Sequence, residues 1–185
     1  MIKKSLLVAA IAVLGLTTAN AQEDTAQGQT SKGKWLIEAN TGFTAGGEFG
    51  IVQHTANTGF GLASIDGQTM WSIGTEVGYF VMDDLAVKAG LGYADYDGPS
   101  VFSYKLGAKY YVTGNIPVQL DFTGASSDDF FGDETPLWLG LQGGYAFFLG
   151  ENVSIEPGLR YSHSLNEDFY DKGIFEARIG FALHF

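Results

Sequence analysis

The 185-residue chain has no cysteine, only 10 basic residues, and no uninterrupted apolar run long enough to cross a bilayer as a helix. Each shortage excludes something. Without thiols there is no disulfide framework and no Cys-ligated zinc or iron-sulfur centre. Against the 10 bases stand 21 acids, and the resulting net charge of -11 repels phosphate, so nucleic acid is excluded as a partner. Disorder throughout is excluded as well, because 45% of the chain is apolar and 14% is aromatic. What the chain has in abundance is glycine, 26 residues in all.

The first residues have the form of an export signal. Lys3 and Lys4 precede an apolar run from Leu6 to Leu16, and Ala19-Asn20-Ala21 supplies the small residues required before a signal-peptidase cut. A signal peptide over residues 1–21 is therefore expected, with cleavage between Ala21 and Gln22. The apolar run falls short of the roughly 20 residues of a transmembrane helix. No cysteine follows it, so no lipoprotein anchor is expected. Loss of Lys3 and Lys4 takes the formal charge from -11 to -13. Residues 22–33, rich in Gln, Thr, Gly and Ser, are expected to form a disordered periplasmic lead-in, followed by one domain over residues 34–185.

From Lys34 onward the dominant signal has a period of two residues, that of an extended chain with one apolar face. In the first segment Trp35, Ile37, Ala39, Thr41 and Phe43 share a face, and in the last Phe175, Ala177, Ile179, Phe181, Leu183 and Phe185 do. Six similar segments begin near Trp71, Leu85, Phe102, Ile116, Leu137 and Val153. No segment has a convincing helical period. The fold class predicted is all-β, an eight-stranded antiparallel up-and-down barrel.

The opposite faces decide which way the barrel is turned. They carry Lys34 and the ten charged residues Glu38, Glu76, Lys88, Lys105, Lys109, Asp121, Glu156, Arg160, Glu176 and Arg178, with glycine filling much of the rest. A barrel of eight strands is barely wide enough for side chains to fill, so the crowd of Trp, Tyr, Phe and Leu cannot all point inward. The expected arrangement is a transmembrane barrel: bulky residues meet lipid, and a near-neutral ion-pair network plugs the lumen. Trp35, Tyr79, Tyr110, Phe147 and Phe185 then mark one rim, and Phe43, Trp71, Tyr93, Phe102, Phe122, Tyr161 and Phe175 the other, as two interfacial girdles. Connections alternate, tight near 82–84, 113–115 and 150–152, longer near 45–69, 95–100, 125–136 and 163–173. Short periplasmic turns and long outer loops fit the same architecture. Pro157, in the middle of a strand, predicts a local bulge or a shifted register, because proline gives the ladder no N–H.

These features resemble the small eight-stranded outer-membrane proteins of Gram-negative bacteria, of the OmpX and OmpA-barrel type within the porin family, over the whole chain from about Lys34. The sharpest element is the terminal strand, whose Ala177, Ile179, Phe181, Leu183 and Phe185 match the family's assembly signal. The resemblance implies location in the cell outer membrane, contact with outer-membrane lipid and lipopolysaccharide, and recognition of the C-terminal strand by the barrel-assembly machinery. OmpA-type proteins carry a peptidoglycan-binding domain after the barrel; none is expected here. A monomer is expected, with an extracellular partner at the loops left open.

Candidate chemical sites are few. Ser162, His163, Ser164 and Glu167 lie close together, but the His-x-Ser spacing of outer-membrane lipid A deacylases is absent, and a solvated loop is the better reading. His54 and His184 have no second histidine at ligand spacing. No enzymatic activity and no cofactor are expected. The outer loops hold Glu48, Asp66, Asp95, Asp97, Asp128, Asp129, Asp133, Glu134, Glu167, Asp168 and Asp171 against Lys172 alone, a balance of -10. That charge reads first as a solubilising, repulsive surface beside lipopolysaccharide, and secondarily as weak divalent-cation bridging by Asp128, Asp129, Asp133 and Glu134. Phe130, Phe131, Phe169 and Tyr170 among these acids read as an exposed contact patch or as rim anchors. The leading functional reading is an outer-membrane scaffold. The alternatives are a narrow passive channel for ions or small solutes and, from Gly33-Lys34-Trp35, a soluble lipocalin-like carrier.

Overall fold

The computed structural model of the chain describes residues 28–43, 59–65, 68–129, 131–132, 135–167 and 173–185. The expected signal peptide at 1–21, residues 22–27, most of the connection from Ala45 to Thr69 with His54, and Phe130, Asp133, Glu134, Phe169 and Tyr170 lie outside the described residues. No described helix is long and apolar enough to cross a membrane, which says nothing of a β-barrel.

Where apolar and small polar residues alternate, the chain runs extended and sends successive side chains to opposite faces. Among the described residues ten strands result: β1 (Trp35–Phe43), β2 (Phe60–Ile65), β3 (Gln68–Met82), β4 (Leu85–Tyr96), β5 (Ser100–Val112), β6 (Ile116–Ser126), β7 (Leu137–Gly144), β8 (Phe147–Phe148), β9 (Val153–Ser164) and β10 (Gly173–His184). Eight staves, β1, β3, β4, β5, β6, β7 with β8, β9 and β10, close an antiparallel barrel, and β2 is an arm on the outer part of β3. The ring closes through β1, which pairs with β10 from Leu36↔His184 to Phe43↔Ala177 and with β3 from Trp35↔Tyr79 to Glu38↔Glu76. Phe185 completes the closure: its N–H donates to the Trp35 carbonyl at 2.9 Å, and the Trp35 N–H donates to its carbonyl at 3.0 Å. Closure pairs backbone groups that would otherwise need water.

The tight turns fall at 83–84, 113–115 and 150–152, all at the end that holds Trp35 and Phe185. Asp84 and Thr113 take left-handed backbone there, with φ of 64° and 54°. The opposite end differs from expectation. Strand β2 arises inside what reads as a loop and folds back on β3, from Phe60↔Ile73 to Ile65↔Gln68, so that β3 reaches 15 residues. The connection at 95–100 is not long: Asp95 pairs with Ser100, and the Tyr96 N–H donates to the Pro99 carbonyl at 2.9 Å.

Pro157 produces neither a bulge nor a shift. Its partner on β10 is Ile179 in unbroken register, and the pairs Gly144↔Gly158 and Phe147↔Ile155 preserve one register across the stave. The missing N–H is instead accommodated by an interruption at Tyr145–Ala146. The Tyr145 N–H still donates to the Pro157 carbonyl at 3.0 Å, but no bond can return, and Ala146 donates to the Asn115 carbonyl at 2.8 Å.

Burial alternates along most of the barrel wall, with a run of three buried residues at Thr123–Ala125 in β6, and in β10 it does so without a break from Gly173 to His184. The buried positions face the lumen, whereas Leu106, Leu120, Leu141, Leu159 and Phe181 face outward and are more than half exposed. Two outward glycines are covered by aromatic neighbours: a Cβ on Gly124 would strike the Tyr104 ring, and one on Gly173 the Tyr161 ring.

The lead-in is a second correction. Residues 28–33 are not loose but folded across the short-turn mouth as a strap. The Gly33 N–H donates to the Phe80 carbonyl at 2.8 Å, the Asp84 N–H to the Thr30 carbonyl at 2.8 Å, and the Lys32 N–H to Asp83 Oδ1 at 2.9 Å. The Thr30 hydroxyl bonds Asp84, and the Gln29 amide bonds the Gly150 carbonyl. A polar composition favours disorder only where no folded partner supplies these bonds.

Candidate functional site: a filled lumen

Three layers fill the barrel. Nearest the short turns, Leu36, Phe80, Ala86, Tyr111, Ala146 and Ala182 form a buried apolar cluster, with Phe148 packed against it. His184 joins it, its ring 5.5 Å from Phe148 and 6.2 Å from both Phe80 and Tyr111. These side chains occupy inward positions of the same alternation that turns Trp35, Tyr79 and Tyr110 outward. The signal that could have found them is parity: Phe80 and Tyr111 each neighbour an outward aromatic, so they must face the lumen.

The middle layer is ionic, and all ten charged residues assigned to the inward face are buried in it. Glu38 accepts from Lys88 at 2.8 Å and from Lys109 at 2.7 Å. Glu76 accepts from Lys88 at 2.8 Å and from Lys105 at 2.7 Å. Lys109 also meets Glu156, which takes a further bond from the Tyr111 hydroxyl at 2.8 Å. Arg160 grips Asp121 with two parallel bonds of 2.7 Å, Nη1 to Oδ2 and Nη2 to Oδ1. Gln119 links the two halves, accepting from Lys88 and donating to Asp121 Oδ2, both at 2.8 Å. Asn40 adds a donor to Glu38 at 2.6 Å. Glu176 and Arg178 form a looser pair, 3.7 Å between Oε2 and Nε.

The network runs from β9 through β5, β1, β4 and β3, and so spans the lumen rather than one wall. Each isolated charge here would be very costly; the sharing of Lys88 between Glu38 and Glu76, and of Lys109 between Glu38 and Glu156, is what makes the layer tolerable. Glycine provides the room. A Cβ on Gly140 would lie 1.9 Å from Arg160 Nη2, and one on Gly90 would lie 2.8 Å from the Glu76 side chain.

A third layer of buried side chains lies toward the opposite mouth. Phe131, expected among exposed aromatics, is buried against Val101 and Ala125, with Tyr96 beside them. Its N–H donates to the Ser127 carbonyl at 3.2 Å, so the turn after β6 folds the ring inward. Trp138 is buried as well.

The remaining candidates do not assemble. Ser162, His163 and Ser164 belong to β9 rather than to a loop. Ser162 and Ser164 face the lumen while His163 faces outward, so the histidine and either serine lie on opposite sides of the wall. Asp128 and Asp129 are exposed, and Asp133 and Glu134 lie outside the described residues. Among the described residues no group of three or more His, Asp or Glu could hold a metal ion.

A barrel with leucine and aromatic side chains outside and paired charges inside is a membrane-spanning barrel, the inverse of a carrier with an apolar cavity. No family model matches the chain, and no curated protein does. Solved barrels of similar form include the N-terminal β-barrel domain of Pseudomonas aeruginosa OprF, at 16% identity over 83% of this chain and 98% of that one, with a TM-score of 0.48. Neisserial surface protein A aligns at 17% identity over 83% of this chain and 100% of its own, with a TM-score of 0.46. The Yersinia pestis outer membrane protein Ail aligns at 13% identity over 83% and 100%, with a TM-score of 0.44.

Proposed function

We propose that the chain is an integral outer-membrane β-barrel that serves as a structural and interaction scaffold, exported through the signal at 1–21, with acidic loops turned outward and a lumen that does not conduct. The lumen carries this reading. An apolar cluster at one mouth, a shared ion-pair layer across the middle and the buried Phe131 toward the other mouth support a lumen packed with side chains. The outward apolar belt supports contact with lipid and lipopolysaccharide, and the alternating terminal strand from Ala177 to Phe185 supports recognition by the barrel-assembly machinery. Loop partners would meet Asp95, Asp97, Asp128 and Asp129 on the outer side.

The test is steady-state current across planar bilayers holding purified protein. No unitary conductance is expected. Stepwise currents would instead favour a narrow passive channel, the reading to which the polar lining of the middle layer lends weight. Membrane fractionation with heat-modifiable gel mobility checks the location independently.

A further inference from the structure

We infer that His184 is a protonation-dependent clasp that couples the N-terminal strap to the lumen network at the short-turn mouth. The inference rests on counting protons. His184 Nδ1 lies 3.2 Å from the Gln29 carbonyl oxygen, and Nε2 lies 3.0 Å from Ser154 Oγ. Ser154 Oγ in turn lies 2.9 Å from Glu156 Oε1. The Gln29 carbonyl and an ionised Glu156 can only accept, and Ser154 has a single hydroxyl proton. If that proton goes to Glu156, Nε2 must donate to Ser154, and Nδ1 must donate to Gln29. All three bonds therefore coexist only when the imidazole carries both protons.

A neutral ring must give one up. With the proton on Nδ1, the strap stays bound and Ser154 turns from Glu156 to His184. With the proton on Nε2, the Ser154–Glu156 link stays and a bare nitrogen lone pair faces the Gln29 carbonyl, which loosens the leading end of the strap at Gln29 while the bonds at Thr30, Lys32 and Gly33 stay. Strap attachment and the link to the network compete in the neutral form and cooperate in the cation.

The groups facing His184 set the terms of this competition. Burial of the ring opposes the cation most, Glu156 on β9 favours it, Lys109 on β5 opposes it, and the Gln29 carbonyl and Glu38 on β1 favour it. The Tyr111 hydroxyl, also on β5, is committed to Glu156. Phe80 on β3 and Phe148 on β8 contribute uncharged faces. Asp84 reaches the strap through Thr30, and Asp83 through the Lys32 N–H. A change in strap mobility at mildly acidic to neutral pH thus points to the histidine, the one side chain that ordinarily titrates there.

Because the chain has no cysteine, Gly28→Cys gives a single thiol for a nitroxide on the exposed strap residue next to Gln29. Electron paramagnetic resonance of the labelled barrel in vesicles is expected to show an immobile strap at pH 5, with the immobile fraction falling by about half by pH 8 through one single-proton transition. His184→Gln, which can donate and accept but cannot titrate, is expected to abolish the pH dependence. Should that variant fail to fold, Ser154→Ala removes the competitor, and the strap is then expected to stay immobile at both pH values. A mobility independent of pH in the labelled barrel would overturn the inference. So would a transition that persists in His184→Gln or, where that variant does not fold, in Ser154→Ala.

Discussion

Arg160 on β9 and Asp121 on β6 reach each other over the intervening stave β7 and are joined by two parallel bonds of 2.7 Å, with both side chains wholly shielded from water. The pair is the best-formed contact of the ionic layer. Removal of one partner leaves the other charge buried and alone, so Asp121→Leu is expected to destabilise the barrel by about 3–5 kcal/mol. The double variant Asp121→Leu with Arg160→Met is expected to recover most of that loss, because no charge is stranded. Urea unfolding in lipid vesicles, followed by tryptophan fluorescence, compares the three proteins.

Glycine at two positions of β7 separates two roles. At Gly140 a methyl group would meet Arg160 Nη2 at 1.9 Å, and the guanidinium cannot retreat without loosening its hold on Asp121. Gly140→Ala is expected to cost about 1–3 kcal/mol through this overpacking. Gly143 faces outward with nothing within 4 Å of the corresponding methyl, and Gly143→Ala is expected to change stability by less than about 0.5 kcal/mol. Thermal loss of the heat-modifiable gel shift ranks the two variants.

How far the sequence led can be judged from particular residues. Parity along a strand is a local property, and it placed Glu38, Lys88, Arg160 and the other inward charges without any knowledge of the fold. Partner choice was not legible. Lys105 and Lys109 both lie on β5, yet one reaches Glu76 on β3 and the other Glu38 on β1 and Glu156 on β9, because barrel stagger decides which charges share a level. Phe80, Tyr111 and Phe131 were obscured for a different reason: aromatic residues near strand ends read as interfacial anchors, and only strict counting of alternate positions, or the folding of a turn, sends them inward. The strap was obscured because its order comes from tertiary bonds to Phe80, Asp84 and His184, none of which its own composition announces.

The outward belt makes a prediction that a water-soluble barrel would not share. Leu120 sits near the middle of β6, faces outward and is 52% exposed. In water, replacement of an exposed leucine by arginine would alter stability by less than about 0.5 kcal/mol. Near the midplane of a bilayer, Leu120→Arg is expected to cost about 2–4 kcal/mol. Reversible unfolding of the vesicle-inserted protein measures the difference, and Gln119→Leu on the adjacent inward position is a contrasting variant, since it cuts the link between Lys88 and Asp121 without touching lipid.

Phe185 allows assembly to be separated from stability. Its backbone exchanges two hydrogen bonds with Trp35, and these survive any change of side chain. Its ring lies on the outward face, 48% exposed, and contributes little packing to the lumen. Phe185→Ala is therefore expected to reduce the folded protein's stability by only about 1 kcal/mol, an ordinary value for a partly exposed site. If the terminal strand is read by assembly machinery, the same substitution is expected to lower the amount of folded barrel in cells severalfold while spontaneous refolding of purified protein into vesicles proceeds almost unchanged. Parallel loss in both settings would mean that the ring acts through stability alone, because a structural contact weakens the barrel wherever it folds, whereas a recognition signal matters only where its reader is present.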